Sequence, residues 1–242
     1  KILFCQMSKK KFDIYFEFNY LGLNLAAFGK TSGKLEYYKE QNYKSYFDNY
    51  KELNFEKLDE LLEANILAIE KSTEFVGDIY LIVETPQSTS IKLSVTKNNE
   101  GNEIIKEDAM YLVQDAKQQL LKSNQDLEII HIIVENYVLD NIQYKFFPSE
   151  KKCTKFSIDI IFICFPKDLL KSFERLFLKQ QIYINQFVCS NYIKTFNFTN
   201  KEQNICECAK DIVQGANKQE VVSIPKELKK KGFFEKLFHF FK

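Results

Sequence analysis

Two hydrophobic periods take turns along this chain, and their alternation limits the fold more than any other feature. Phe12-Asp-Ile-Tyr-Phe-Glu-Phe-Asn19 puts Phe12, Ile14, Phe16 and Phe18 on one side, a period of two that predicts a strand with one buried face. Leu58, Leu61, Leu62, Ile66 and Ile69 recur at a period near 3.6 and predict an amphipathic helix over 56–72. Leu21 to Phe28 and Lys34 to Tyr38 read as strands that complete an antiparallel meander with the first. Further strands are expected at Ile79 to Val83, Ile91 to Val95, Ile129 to Val134, Ser157 to Phe165 and Ile182 to Val188, with helices over 107–122 and 167–180. Thr199 and Glu202 form a candidate capping box for a helix running to about Gln214, with Gly215 at its end. Residues 39–56 are polar and tyrosine-rich and yield no element; 217–231 read as a linker. Strands and helices interleaved in this way predict an α/β or α+β body.

The 242 residues carry a net charge of only +1, against the concentrated basic surplus of a nucleic-acid binder. That charge is unevenly placed. Residues 226–242 hold six lysines against two glutamates, a surplus of four, which leaves the rest of the chain at −3. Arginine occurs once, at Arg175, so bidentate guanidinium recognition of phosphate is not expected. Cys5, Cys153, Cys164, Cys189, Cys206 and Cys208 follow no disulfide or zinc spacing, and no secretion signal precedes them. A reduced cytoplasmic setting fits, with no metal and no cofactor expected. Met7 makes a better start than Lys1, so residues 1–6 read as upstream sequence.

His131, Glu135, Tyr137 and Asp140 cluster in sequence and form the one group that acid/base chemistry could use. His131 lies inside an apolar strand, where a satisfied core residue is the commoner role, and Asp140-Asn141 has turn composition.

The last fourteen residues, KKKGFFEKLFHFFK, separate by face. On a helix, Phe233, Phe234, Leu237, Phe238, Phe240 and Phe241 share an arc of about 160°, and Glu235, Lys236, His239 and Lys242 take the other side. Ten residues make about 15 Å of helix, half the thickness of a bilayer's hydrocarbon, so the segment cannot span. It is also too short to hold its shape alone in water and needs a surface to fold against. An anionic membrane interface is the expected surface: the aromatic rings enter the acyl boundary while Lys229, Lys230 and Lys231 face headgroups at about 1 kcal/mol each. Docking on the protein's own core or on a partner groove is the alternative.

The order of these parts resembles the FtsA family of bacterial cell-division proteins, actin-like ATPase homologues that tether the division ring to the inner membrane. Four stretches carry the likeness: FDIYFEFNYLGLNLAAF (12–28); LDELLEANILAIEKS (58–72); EIIKEDAMYLVQDAK (103–117) with IIHIIVENYVLDN (129–141); and the tail, similar to the family's membrane-targeting helix. The resemblance implies half of an actin-like, ribonuclease H-like fold with an inserted strand-helix-strand-strand subdomain and a C-terminal amphipathic helix. Its 1A part would comprise 12–38 and 155–215, its inserted 1C part 39–150, a flexible linker 217–231 and the membrane helix 232–242. It further implies a place on the cytoplasmic face of the inner membrane at the division site. The implied partners are the FtsZ-type ring, later division proteins reached through the 1C-like part, and a second copy of the chain.

The chain departs from the family at its nucleotide-binding motifs. Where the family carries an Asp-x-Gly-Thr phosphate loop, this chain has Glu17-Phe18-Asn19-Tyr20, with Gly22 as a displaced glycine. The family's second half, 2A and 2B, which supplies the rest of the nucleotide clamp and the FtsZ dock, has no counterpart here. The expectation is therefore a membrane-tethered, non-catalytic adaptor that neither binds nor hydrolyses ATP. A pilus-assembly-type actin-like scaffold and a non-functional, internally deleted copy are the alternatives.

Overall fold

A computed structural model describes residues 11–42, 54–73, 75–196 and 203–221. Among them lie nine strands and five helices, a mixed α/β protein in two compact units.

The first unit takes residues up to Thr85 together with Phe173–Ala209. It contains β1 (Phe12–Phe18), β2 (Gly22–Gly29), β3 (Leu35–Asn42), α1 (Phe55–Thr73), β4 (Asp78–Val83), β9 (Tyr183–Cys189) and α4 (Ser190–Phe196). Its sheet has the order β3-β2-β1-β4-β9. The meander is antiparallel, as its alternation predicts, while β4 runs parallel to both β1 and β9. Phe16 and Phe18 pack edge-on and tilted against Phe177 and Phe173, and Phe55 of α1 meets Phe173 at 5.1 Å. Each such ring taken out of water stabilises the fold by about 1.5–3 kcal/mol.

β1 differs from its predicted form in one respect. It is buried on both faces: Tyr15 stacks on Tyr80 at 4.7 Å and meets Phe28 edge-on, and Glu17 is 2% exposed. A buried carboxylate alternates with phenylalanine in the same way as a solvated one, so the pattern could not separate them.

The second unit takes Pro86–Ser172 and the residues from Lys210 on. It contains β5 (Thr89–Asn98), α2 (Lys106–Ser123), β6 (Leu127–Leu139), β7 (Ile142–Tyr144) and β8 (Lys155–Pro166), and its sheet has the order β5-β8-β6-β7 with every pair antiparallel. Phe156, Ile158, Ile160, Phe162 and Cys164 of β8 form the middle of its core, covered by Ala109, Leu112, Ala116 and Leu120 of α2. The succession β5, α2, β6, β8 is the strand-helix-strand-strand unit that the resemblance implied, inserted between β4 and β9. β7, which the sequence pattern did not suggest, closes on β6 through a two-residue turn. Asp140 (φ 44°) and Asn141 (φ 73°) hold there the left-handed conformations that such a hairpin requires.

The units divide at other positions than 39 and 150. Helix α1 and β4 belong to the first unit, since β4 pairs with β1, and β8 belongs to the second, since it pairs with β5 and β6 along almost its whole length. Helix α3 (Lys167–Lys179) and helix α5 (Ile205–Val213) both cross from one unit's residues into the other's.

The chain around α5 also corrects three expectations. The expected helix over 199–214 is shorter, and α4 stands apart from it. Thr199 and Glu202 lie outside the described residues. The capping box is instead Asn204 with Glu207: the Glu207 amide donates to Asn204 Oδ1 and the Asn204 amide donates to Glu207 Oε2, both at 3.0 Å. At its far end Gly215 takes φ 86°, and the Gly215 and Ala216 amides reach back to the carbonyls of Ile212 and Asp211, a Schellman motif in keeping with the expected glycine stop. The stretch read as linker from 217 is docked as far as Val221: Val134 N–H donates to Gln219 O and Val221 N–H donates to Ile132 O, both at 2.8 Å. It lies on an edge of β6 with which no other described strand pairs there, which sequence composition does not reveal.

Candidate functional site

Open α/β sheets place their ligands at the carboxyl ends of parallel strands, and β1, parallel to β4, offers such an end. The turn after β1 is built by Asn19. Its Oδ1 accepts the amides of Leu21 and Gly22 at 2.8 and 2.7 Å, and its own amide donates to Gly22 O at 3.0 Å. Three amides that a phosphate cradle would need are therefore directed to partners inside the turn. Gly22 serves strand packing. A Cβ at that position would stand 2.1 Å from the Gln41 carbonyl oxygen, so the glycine lets β2 lie against β3.

Glu17, the residue that the resemblance set against a phosphate-loop aspartate, is fully engaged. Its Oε1 accepts from Ser190 Oγ at 2.9 Å; its Oε2 accepts from Asn24 Nδ2 at 2.7 Å and from Asn19 Nδ2 at 3.1 Å. A carboxylate this deep is stable only with such donors around it. Nearby, Glu84 follows β4 and pairs with Lys194 of α4 at 2.5 Å. Burial, then the Glu84 charge, raises the Tyr20 phenol. Ser190 and Asn24 were not singled out in the sequence. The only available signal was Glu17 itself, an acid set among phenylalanines.

Two buried thiols, one in each unit, are held protonated. Burial first, then Glu17, Cys208 and Glu207, holds Cys206 well above the ordinary thiol range, and Cys164 is pushed up to about 11 by burial and Glu128. Both stay protonated near neutrality, and a protonated thiol is neither nucleophile nor ligand. Among the described residues no group of three His, Cys, Asp or Glu side chains is placed to hold a metal ion.

The group on β6 does not converge. His131 is 1% exposed and its Nδ1 lies 2.6 Å from Glu220 Oε1. Glu135 pairs with Lys92 at 3.2 Å on the surface, across the sheet. Tyr137 packs edge-on to Phe147 at 5.5 Å, and burial raises its phenol. Asp140 accepts the amides of Thr154 and Lys155, tying the hairpin to the start of β8. Four side chains with four separate partners are structural supports, and the acid/base reading loses its geometry. Glu220 is the partner that sequence reasoning missed, because it lies 89 residues away in a stretch read as linker.

The proposed membrane-binding residues, Lys229, Lys230, Lys231, Phe233, Phe234, Leu237, Phe238, Phe240 and Phe241, lie outside the described residues. No described helix is long and apolar enough to cross a membrane.

No protein-family profile matches this chain, and no curated protein matches it. Among solved structures it is similar to the PilM–PilN type IV pilus biogenesis complex, at 6% identity over 78% of this chain and 50% of that one, with a TM-score of 0.47. It is also similar to cyto-EpsL, the cytoplasmic domain of an inner-membrane component of the Vibrio cholerae type II secretion system. Identity there is 9%, coverage 75% and 57%, and the TM-score 0.34. A third is a Bacteroides thetaiotaomicron protein with an actin-like ATPase fold, at 12% identity, 81% and 59% coverage and a TM-score of 0.30. The chain spans about half to three-fifths of the length of these structures.

Proposed function

We propose that this chain is a non-catalytic interaction module of a membrane-associated bacterial assembly, actin-like in fold and tethered through its cationic aromatic tail. One observation carries the non-catalytic part: the turn after β1 is closed on itself. The Asn19, Leu21 and Gly22 amides have partners within it, and the Glu17 carboxylate is engaged by three side chains. A nucleotide would have to break those bonds before gaining any of its own, each at a cost of about 1–3 kcal/mol when a buried group is left unpaired.

What remains for such a module is to bind proteins. A pilus-assembly-type scaffold is the reading taken first. After α5 the described chain goes to the β6 edge. A division adaptor of FtsA type and a non-functional copy are the other outcomes of the same experiment.

The tether is tested by co-sedimentation with vesicles containing phosphatidylglycerol. The full chain goes to the pellet, and a chain lacking 229–242 stays in the supernatant; equal partitioning of the two contradicts the tether. In cells, a fluorescent fusion in envelope foci away from the septum supports the scaffold. A mid-cell band supports the division adaptor, and a diffuse signal unaffected by the deletion supports neither.

A further inference from the structure

Among the described residues, the edge of β6 before Tyr137 has no strand neighbour from the sheet, since β7 reaches only Tyr137 to Leu139. An open edge presents a row of backbone donors and acceptors to any extended segment. Residues 217–221 occupy it, and a set of specific contacts holds them there. The Asn217 Oδ1 accepts the Gln219 amide at 3.0 Å and its carbonyl accepts the Glu220 amide, bending the chain onto the edge. Two backbone bonds, Val134 to Gln219 and Val221 to Ile132, add the segment as a short antiparallel strand around the Ile133–Glu220 bridge. Gln219 Nε2 donates to the carbonyls of Glu135 and Lys145, where β6 bulges. Glu220 meets the buried His131, and Val221 packs on the core beneath α2.

We infer that Asn217–Val221 is a clip, locked by the His131–Glu220 pair onto a strand-accepting edge, which fixes the point on the second unit from which the remainder of the chain, after Val221, begins. The inference does not depend on what that remainder binds. A rigid stop precedes the clip, the Schellman cap at Gly215-Ala216, so release transfers the departure point from Val221 back to Ala216. Five residues at about 3.3–3.6 Å each then add up to about 17 Å of reach. Release also bares the β6 edge with His131 beside it, a receptor for an extended segment bearing a carboxylate. The clip is separable from the fold in kind: it contributes one apolar side chain, where β8 contributes a whole row.

The test is amide exchange by NMR on the full chain, with trypsin cleavage after Lys218 read in parallel, for the wild type and for Glu220→Gln and Gln219→Ala. In the wild type, Val134 and Val221 amides are protected and Lys218 is cut slowly. Either substitution speeds exchange at both amides and cleavage at Lys218 at least tenfold, while Ile160 and Phe162 in mid-β8 keep their protection. A wild-type Val221 amide exchanging at the rate of a free peptide overturns the clip. So do substitutions that change nothing, and so does loss of β8 protection together with that of Val221, which would make the segment part of the core.

Discussion

Glu17 and Glu220 are two acidic side chains almost out of contact with water, each beside a strand, and they do opposite work. Glu17 belongs to the sheet itself. Its donors come from the turn after β1, from β2 and from the start of α4, three places joined by the strands between them. Glu220 belongs to a strap laid over an edge, with His131 as its side-chain lock and a few backbone bonds beside it. A buried carboxylate thus says little about role. What decides is whether its donors are part of the same continuous sheet, in which case it closes a site, or whether it arrives from outside, in which case it can leave.

The contrast can be broken most severely at Glu17. Glu17→Ala leaves Ser190, Asn24 and Asn19 without their acceptor, at about 1–3 kcal/mol for each buried group. Chemical denaturation is expected to show at least about 3 kcal/mol lost. A loss under about 1 kcal/mol would mean that the cluster is open to water and could accept a ligand.

A smaller effect is expected at Gly22. In Gly22→Ala the new methyl meets the Gln41 carbonyl, and parting β2 from β3 there costs about 1–3 kcal/mol. An unchanged stability would free Gly22 for the phosphate-loop role that the structure denies it.

Smallest is the effect of pH on Tyr38, beside the Glu17 cluster. Burial, followed by the charges of Glu40, Cys206, Glu17 and Glu207, raises its phenol from 10.0 to about 12. The folded phenol therefore keeps its proton where the unfolded one has lost it. Its contribution to stability is whole below pH 10.0 and disappears as pH rises through about 12. Ultraviolet titration of wild type against Tyr38→Phe is expected to remove one late-titrating phenol. Loss of an ordinary one instead would put Tyr38 in open water.

Much of the architecture was legible in advance. Apart from β7, the strands and helices from Phe12 to Val188 lie where their periods put them, because a buried row of side chains needs the same spacing whatever packs on it. Partners escaped the reading. Nothing local distinguishes the buried Glu17 from a solvated glutamate, and nothing in Asn217-Lys-Gln-Glu-Val221 announces a strand, because the edge it completes lies almost ninety residues earlier. The capping box was misplaced from Asn204 to Thr199 for a related reason: two candidate pairs with the same spacing stand five residues apart, and which one caps depends on where α5 packs. At the candidate site the sequence suggested a poor phosphate cradle from Asn19 alone, and the structure supplies the reason, an amide-consuming turn.

Isothermal titration of the full chain with Mg-ATP addresses the central claim most directly. A turn closed by Asn19 and a carboxylate engaged by Ser190 and Asn24 predict no heat of binding up to millimolar nucleotide. Saturable binding with micromolar affinity, abolished by a change at Glu17 or Gly22, would contradict it.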